Sequence, residues 1–146
     1  MQIEIKIDTT CKIPKLVIIT DKISDEVNEI MKKLSEDTPK VITVFQNDVA
    51  KIIDPVHIYR FYANNGKVYA VTNDGEFTLR IRLYEIEEQL CIPNFVRISN
   101  SEIINLKKVK NFDLSFTGTI CVTLLDGTVT YVSRRYVSKI KKILGI

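Results

Sequence analysis

Short stretches in which apolar and polar residues alternate, separated by residues that favour turns, make up most of the chain after residue 55. Alternation with a period of two places every second side chain on the same face, as in a half-buried β-strand. Residues 76–83 alternate in this way, and Asn73-Asp74-Gly75 just before them is typical of a hairpin turn. This pattern predicts a mainly β fold for the chain as far as Val132.

Three stretches instead space their apolar residues for a helix, at residues 24–36, 83–90 and 133–144. Ser133 can cap the last of these helices, and Gly145 follows it as a stop signal. We therefore predict short helices that flank the sheets.

The first 53 residues are organised differently, because strands and a helix are mixed there. The chain begins with strict alternation, and Ile3, Ile5 and Ile7 share one face. The pattern changes to mostly strand at Asp54-Pro55, so we expect a small α+β segment over residues 1–53 and a second domain over residues 54–146. The predicted elements of the first segment are strands at 2–8, 16–19, 41–45 and 49–53 and the helix at 24–36.

The residues that catalysis or metal binding would need are missing or scattered. Phosphate-binding glycine motifs are absent, and the five glycines stand singly in turns. The one histidine, His57, falls in an alternating stretch, and Cys11, Cys91 and Cys121 form no zinc motif. We therefore expect no enzyme, no metal and no cofactor, and free thiols in a reducing cytoplasm. No apolar run approaches the ~18 residues of a membrane span, so we expect no membrane insertion.

The charge of the chain is distributed unevenly. The net charge is +3, but residues 1–54 have 8 basic against 10 acidic side chains, whereas residues 97–146 have 9 against 3. All six arginines follow residue 55. Because arginine forms forked contacts with phosphate and guanine, a basic C-terminal half is typical of proteins that bind nucleic acid.

Polar loops between the predicted strands contain side chains suited to reading DNA. Residues 97–101 combine Arg97 and Asn100 with two serines, and Ser133-Arg134-Arg135 lies at a helix N-terminus, where phosphate binds readily. Asn64-Asn65-Gly66-Lys67 forms a third polar turn. Each would be an ordinary solvated turn on its own, but three in the basic half favour DNA binding. No helix-turn-helix pair is predicted.

A known family has a similar pattern. Residues 95–105 read Phe95-Val96-Arg97-Ile98-Ser99-Asn100-Ser101-Glu102-Ile103-Ile104-Asn105. This segment resembles the F-x-R-x-H-x-S-x-[IV]-[IV]-N motif of the LytTR-type DNA-binding domains of bacterial transcription regulators, with a departure at Ser99, where the family often has histidine. Asn73-Asp74-Gly75 and Tyr131-Val132-Ser133-Arg134-Arg135-Tyr136 also match in order and spacing. The resemblance covers residues 50–146, about two thirds of the chain.

The resemblance implies an elongated LytTR-type β fold that inserts loops, rather than a helix, into successive major grooves of double-stranded DNA. By this analogy Asn100 and Arg135 are expected to contact bases, and the turn at Gly66-Lys67 to make a weaker contact. The residues expected to hold backbone phosphates are Arg97, Ser99, Ser101 and Arg134. From the residues themselves we expect a phosphate contact at Lys108 and structural roles for Asn105, Ile98, Ile103, Ile104 and Leu106.

The leading interpretation is a sequence-specific transcription regulator that binds double-stranded DNA as a pair of chains on repeated half-sites. Residues 1–53 are expected to dimerise, to dock a regulatory protein, or merely to complete the fold. The alternative is a protein-interaction module whose basic C-terminal half binds an acidic partner, which would show no preference for a DNA sequence. Binding of single-stranded RNA would need exposed aromatic residues; Tyr59, Phe61 and Tyr69 are the candidates, although alternation assigns Phe61 to the core.

Overall fold

The computed structural model describes residues 1–34, 41–89 and 94–146, which fall into two compact units, residues 1–39 and residues 40–146. None of the helices within the described ranges is long and apolar enough to cross a bilayer. In chain order the elements are α1 (Asp25–Leu34), β1 (Ile42–Gln46), β2 (Val49–Ile53), β3 (Ile58–Asn64), β4 (Lys67–Thr72), β5 (Gly75–Leu79), α2 (Leu83–Gln89), β6 (Phe95–Ser99), β7 (Glu102–Asn105), β8 (Val109–Asp113), β9 (Ile120–Leu124), β10 (Val129–Val132) and α3 (Arg134–Leu144).

The strands form two antiparallel sheets. Seven strands pair in the order β2-β1-β5-β4-β3-β7-β6, and three pair in the order β10-β9-β8. Tight turns join several of the paired strands; in the β1–β2 hairpin Asn47 and Asp48 have positive φ angles of 49° and 64°. The helix α3 ends at Gly145, which adopts the left-handed conformation expected of a stop residue. This architecture confirms the predicted mainly β fold with short flanking helices.

Two hydrophobic cores lie on either side of β7. The first contains residues of β1, β3, β4 and β5 together with Ile86 of α2. The second contains residues of β6, the three-stranded sheet and Ile140 of α3. Every residue of β7 is buried, because Ile103 enters the first core and Ile104 the second. The predicted core positions Ile98, Ile103 and Ile104 are confirmed, and Leu106 packs partly buried against the second core.

A bulge in β3 separates two aromatic residues that simple alternation places on the same face. The pairing of β3 with β4 shifts register between Ile58 and Arg60. As a result Tyr59 enters the second core, whereas Phe61 enters the first. Tyr59 is 7% exposed and Phe61 is fully buried, so neither offers a stacking surface for single-stranded RNA.

The N-terminal part differs from the sequence prediction. Residues 1–20 contain no strand, so the strands predicted at 2–8 and 16–19 are wrong for the described chain. An alternating stretch becomes a strand only where a neighbour accepts its backbone hydrogen bonds, and no described strand pairs with these residues. The helix predicted at 24–36 is present as α1. Three predicted features lie outside the described residues: the end of this helix at Glu36, the end of the second helix at Leu90, and the thiol of Cys91.

The hairpin of β1 and β2 belongs to the main sheet. We expected it within a separate segment of residues 1–53, but Phe45 of β1 pairs with Thr78 of β5, and the Thr78 hydroxyl donates to the Phe45 carbonyl at 3.2 Å. The division between the two units therefore falls before this hairpin, after residue 39. No local sequence signal marks this pairing, since it joins residues more than thirty positions apart.

Asn105 has the structural role expected of it. Its side chain is buried, its Nδ2 donates to the carbonyl of Ile58 at 2.9 Å, and its Oδ1 accepts from the backbone N–H of Lys107 at 3.0 Å. These bonds join the end of β7 to the start of β3 and to the turn that follows β7.

Replacing Asn105 by alanine should lower the free energy of unfolding by about 1–3 kcal/mol, because two backbone groups then lose their partner at a buried position. Urea denaturation monitored by circular dichroism would measure the loss. The matched control is Asn111→Ala on β8, where the side chain is exposed and a change within about 0.5 kcal/mol is expected. Equal stability of the two variants would contradict the structural role.

Candidate nucleic-acid interface

The three polar loops predicted from the sequence lie together at one end of the sheets. The β6–β7 turn is joined to the β3–β4 hairpin by a hydrogen bond from the N–H of Ala63 to the carbonyl of Ser101, at 2.9 Å. The start of α3 is joined to β6 by a hydrogen bond from the N–H of Ser133 to the carbonyl of Ile98, also 2.9 Å. We refer to residues 64–67, 99–101 and 133–135 as the loop cluster.

Arg97 holds the β6–β7 turn in shape. Its Nε donates to the carbonyl of Ser99 and its Nη2 to the carbonyl of Asn100, both at 2.7 Å. Its Nη1 lies 3.8 Å from a carboxylate oxygen of Glu87, and the side chain is 13% exposed. Because these donors are already occupied within the protein, the guanidinium fixes the turn rather than projecting from it.

The polar side chains of the β6–β7 turn make hydrogen bonds within the turn and with α3. The Oγ of Ser99 accepts from the N–H of Ser101 at 3.2 Å and lies 3.3 Å from the Ser101 hydroxyl. Asn100 is exposed, and its Oδ1 accepts a long hydrogen bond, 3.4 Å, from the hydroxyl of Tyr136. Among the described residues its side-chain NH₂ has no partner. An asparagine amide presented in this way can pair with the major-groove edge of adenine.

The start of α3 is unusually basic. Ser133 occupies the N-cap position with an extended backbone, but its side chain makes no capping hydrogen bond. Arg134 and Arg135 follow, both exposed, and the first turn has no acidic residue. The positive end of the helix dipole and free backbone N–H groups favour an anion here, and two arginines strengthen that preference.

Arg134 lies against the turn at Gly118. Gly118 has a positive φ of 75°, and a Cβ placed on it would lie 3.4 Å from the Nε of Arg134. The Arg135 guanidinium is directed over the ring of Tyr136, 6.0 Å from its centre. The two arginines therefore leave the helix start in separate surroundings, which suits them to different contacts.

The β3–β4 hairpin presents the third loop. Asn65 and Gly66 both have positive φ, 50° and 76°, as a two-residue hairpin turn requires. Behind the turn the rings of Tyr62 and Tyr69 stack with centres 5.0 Å apart. Burial and the hydrogen bond to Glu76 raise the pKa of Tyr62, so its hydroxyl stays protonated and donates to the Glu76 carboxylate at 2.9 Å. The hairpin is thus held firmly below its exposed turn.

Two lysines were also predicted as contacts, and only one joins the loop cluster. Lys67 is exposed at the first position of β4. Lys108 lies elsewhere: its carbonyl accepts from Leu125 in the turn after β9, whereas Ser133 follows the opposite end of that sheet. The Lys108 ammonium lies 5.1 Å from the centre of the Tyr59 ring. The structure therefore brings Asn100, Arg135, Arg97, Ser99, Ser101, Arg134 and Lys67 together and leaves Lys108 apart.

Glu102 is important to this site but was not predicted from the sequence. It is 8% exposed, and its carboxylate accepts from Arg60 of β3 at 2.9 Å and from the hydroxyl of Thr130 of β10 at 2.7 Å. It therefore links the two sheets directly behind the β6–β7 turn. In the sequence Glu102 follows three polar residues and looks solvated, and its partner Arg60 is 42 positions away.

Comparison with known proteins identifies relatives of the chain. A family model described as LytTr DNA-binding domain matches residues 48–145. Uncharacterized HTH-type transcriptional regulators of Staphylococcus aureus strains NCTC 8325 and MRSA252 are 35% and 34% identical over 126 residues, covering 86% of this chain and 85% of theirs. These alignments are longer than the family match, so they reach into the segment before residue 48.

The fold also has a counterpart among solved structures. A LytTr DNA-binding domain from Bacillus cereus matches with a TM-score of 0.69 and 24% identity, covering 73% of this chain and 97% of that one. This similarity shows the fold. Although the staphylococcal relatives are named HTH-type, no two helices follow one another directly within the described parts of this chain. The loop cluster accordingly consists of turns between strands and the start of one helix.

Replacing Arg97 by alanine should loosen the β6–β7 turn, because two charge-assisted hydrogen bonds to its carbonyls are lost. Hydrogen exchange followed by mass spectrometry should show faster exchange in a peptide spanning residues 98–102. The control is Arg82→Ala, which removes the same charge from an exposed side chain before α2. If this peptide exchanges at the wild-type rate in both variants, Arg97 does not stabilise the turn.

Proposed function

The chain belongs to the LytTR family of DNA-binding domains, and we propose that it is a transcription regulator that reads specific double-stranded sequences through the major groove. The family is one of DNA-binding domains and not of enzymes. The observation that supports sequence-specific reading is the loop cluster, in which three exposed asparagines, two exposed arginines, one exposed lysine and three serines lie at one end of the pair of sheets.

Within the loop cluster we assign different roles to different side chains. Asn100 and Arg135 are proposed to contact bases, since asparagine pairs with adenine and arginine with guanine in the major groove. The proposed phosphate contacts are made by Arg134, Ser99, Ser101 and Lys67. They would set the position of the domain on the duplex without reading its sequence.

For Arg97 we propose a positioning role in place of the phosphate contact that the family resemblance implies. Its donors are occupied by the carbonyls of Ser99 and Asn100, and so it sets the backbone path of the turn. Binding at DNA would then depend on Arg97 through the orientation of Asn100.

We further propose that two chains bind repeated half-sites on DNA in the bacterial cytoplasm. One loop cluster covers few base pairs, and a pair of chains multiplies both affinity and sequence information. The segment before the main sheet, residues 1–39, is available for pairing the chains or for docking a regulatory protein, because the cluster uses only residues between 64 and 135.

Selection from a pool of random DNA duplexes at physiological salt tests the proposal. A regulator of this kind should enrich one motif, which recurs at about 10 base pairs if two chains bind adjacent grooves. A folded protein that enriches no motif and binds other polyanions equally well would instead be a module for acidic protein partners.

Arg135→Ala should weaken binding to the enriched motif by about 1–3 kcal/mol and reduce the preference for it over random DNA, because a base contact is lost. Fluorescence anisotropy with both duplexes measures the two effects. An unchanged ratio of the two affinities would contradict a base contact.

Lys108→Ala is the matched comparison, because it removes one positive charge outside the loop cluster. A phosphate contact at Lys108 predicts weaker binding to the motif and to random DNA by the same factor, with a salt dependence shallower by about one phosphate. Identical behaviour of the Arg135 and Lys108 variants on both duplexes would show that these roles are assigned wrongly.

A further inference from the structure

The first 23 residues expose an unusual amount of apolar surface. Their large apolar side chains are mostly 67–95% exposed, and together they present on the order of 1,000 Å² to solvent. This exceeds the ~800 Å² that each partner buries in a stable complex of standard size. The residues are Ile3, Ile5, Ile7, Ile13, Leu16, Val17, Ile19 and Ile23. We therefore expect this apolar surface to be buried against a partner.

The backbone at the start of this segment is also unpaired. Residues 1–7 lie outside any helix or strand, and the first hydrogen bond along the chain between two backbone groups runs from Cys11 to Asp8, at 3.1 Å. An alternating stretch with free N–H and C=O groups is a template for pairing with another strand. No described strand of the same chain takes that place.

The sequence of residues 2–8 is complementary to itself in one antiparallel register. With Ile5 opposite Ile5 of a second copy, Glu4 faces Lys6 and Lys6 faces Glu4, while Ile3 faces Ile7 on the other side of the sheet. Opposite charges placed directly across two strands stabilise the pair, and apolar residues opposite one another pack. A two-fold axis through the Ile5 pair makes every such contact twice.

Neighbouring registers lack this match. A shift by two residues in one direction places Glu4 opposite Glu4, and a shift in the other direction places Lys6 opposite Lys6. A shift by one residue would set isoleucines against polar residues. A parallel, in-register arrangement aligns each charge with the same charge of the other copy. The charge pattern therefore selects a second copy of this chain, in one orientation.

We infer that residues 2–8 of two copies pair as antiparallel strands about Ile5 and thereby form the dimer. This deepens the proposed function and rests on it in one respect: it supplies the pairing of chains on repeated half-sites. A two-stranded ribbon is marginal alone, and the exposed apolar residues between 13 and 23 provide further surface to bury.

Charge exchange at Glu4 and Lys6 tests the inference in the absence of DNA. Sedimentation velocity should show a dimer for the wild type and association weakened about tenfold or more for Glu4→Lys and for Lys6→Glu, since each creates two like-charge contacts. The double variant should dimerise as the wild type does, and an equimolar mixture of the two single variants should form heterodimers. A monomeric wild type, or single variants that associate normally, would overturn the inference.

Cysteine cross-linking tests the register. In a Cys11→Ser background, Ile5→Cys should form a disulfide-linked dimer under mild oxidation, because the two-fold axis places position 5 opposite itself. Ile3→Cys should not, since it faces Ile7; a parallel arrangement would cross-link both variants and so exclude the proposed register. The Cys11→Ser parent corrects for disulfides through the remaining native cysteines.

The outcomes separate this inference from the proposed function. The loop cluster lies in residues 64–135, so binding of the Glu4→Lys variant to a single half-site should equal that of the wild type and shows that the variant is folded. If the double variant regains dimerisation but no DNA motif is enriched, the proposed dimer stands and the proposed regulatory function is refuted. If one DNA motif is enriched but charge exchange at Glu4 and Lys6 does not change association, the proposed regulator stands and the proposed dimer is refuted.

Discussion

The burial of β7 on both faces is the constraint on which the rest of the second unit depends. Ile103 and Ile104 are successive residues, and each fills a different core. A strand shared in this way holds the seven-stranded sheet against the three-stranded sheet and α3. Its two ends are held by polar side chains, Glu102 at the start and Asn105 at the end, and each joins elements distant in sequence.

A buried carboxylate at the start of β7 needs partners, because loss of hydration is costly without them. Arg60 supplies the opposite charge and Thr130 a hydroxyl, so that both oxygens of Glu102 are satisfied. Arg60 in turn packs over the ring of Tyr62, with its guanidinium carbon 4.5 Å from the ring centre. The result is a rigid support immediately behind the turn of residues 99–101.

This support fixes the position of the loops to which we assign the proposed contacts with DNA. Polar loops are precise only where the scaffold fixes their ends, and here the ends are strand termini packed into two cores. Arg97 removes the remaining freedom of the β6–β7 turn by binding its carbonyls. The first unit shows what happens without such support. Ile3, Ile5 and Ile7 alternate with polar residues as in a strand, but no described strand forms hydrogen bonds with this stretch.

Local patterns in the sequence determined the hairpins, the positions of the helices, the core residues of β6 and β7, and the identity of the polar loops. These features depend on residues within a few positions of one another, and periodicity or turn chemistry reports them directly. The structural role of Asn105 was also predictable, because an asparagine beside a loop can bond the backbone of that loop, as it does here with Lys107.

Only the tertiary structure decided which strands pair and which polar side chains have partners within the protein. The addition of the β1–β2 hairpin to β5, the bulge that turns Tyr59 into the second core, and the Glu102–Arg60 ion pair all join residues distant in sequence. The separation of Lys108 from the loop cluster has the same origin. Pairing of this kind is set by the total surface buried and the hydrogen bonds satisfied across the whole domain, and no local window of the sequence contains those energies.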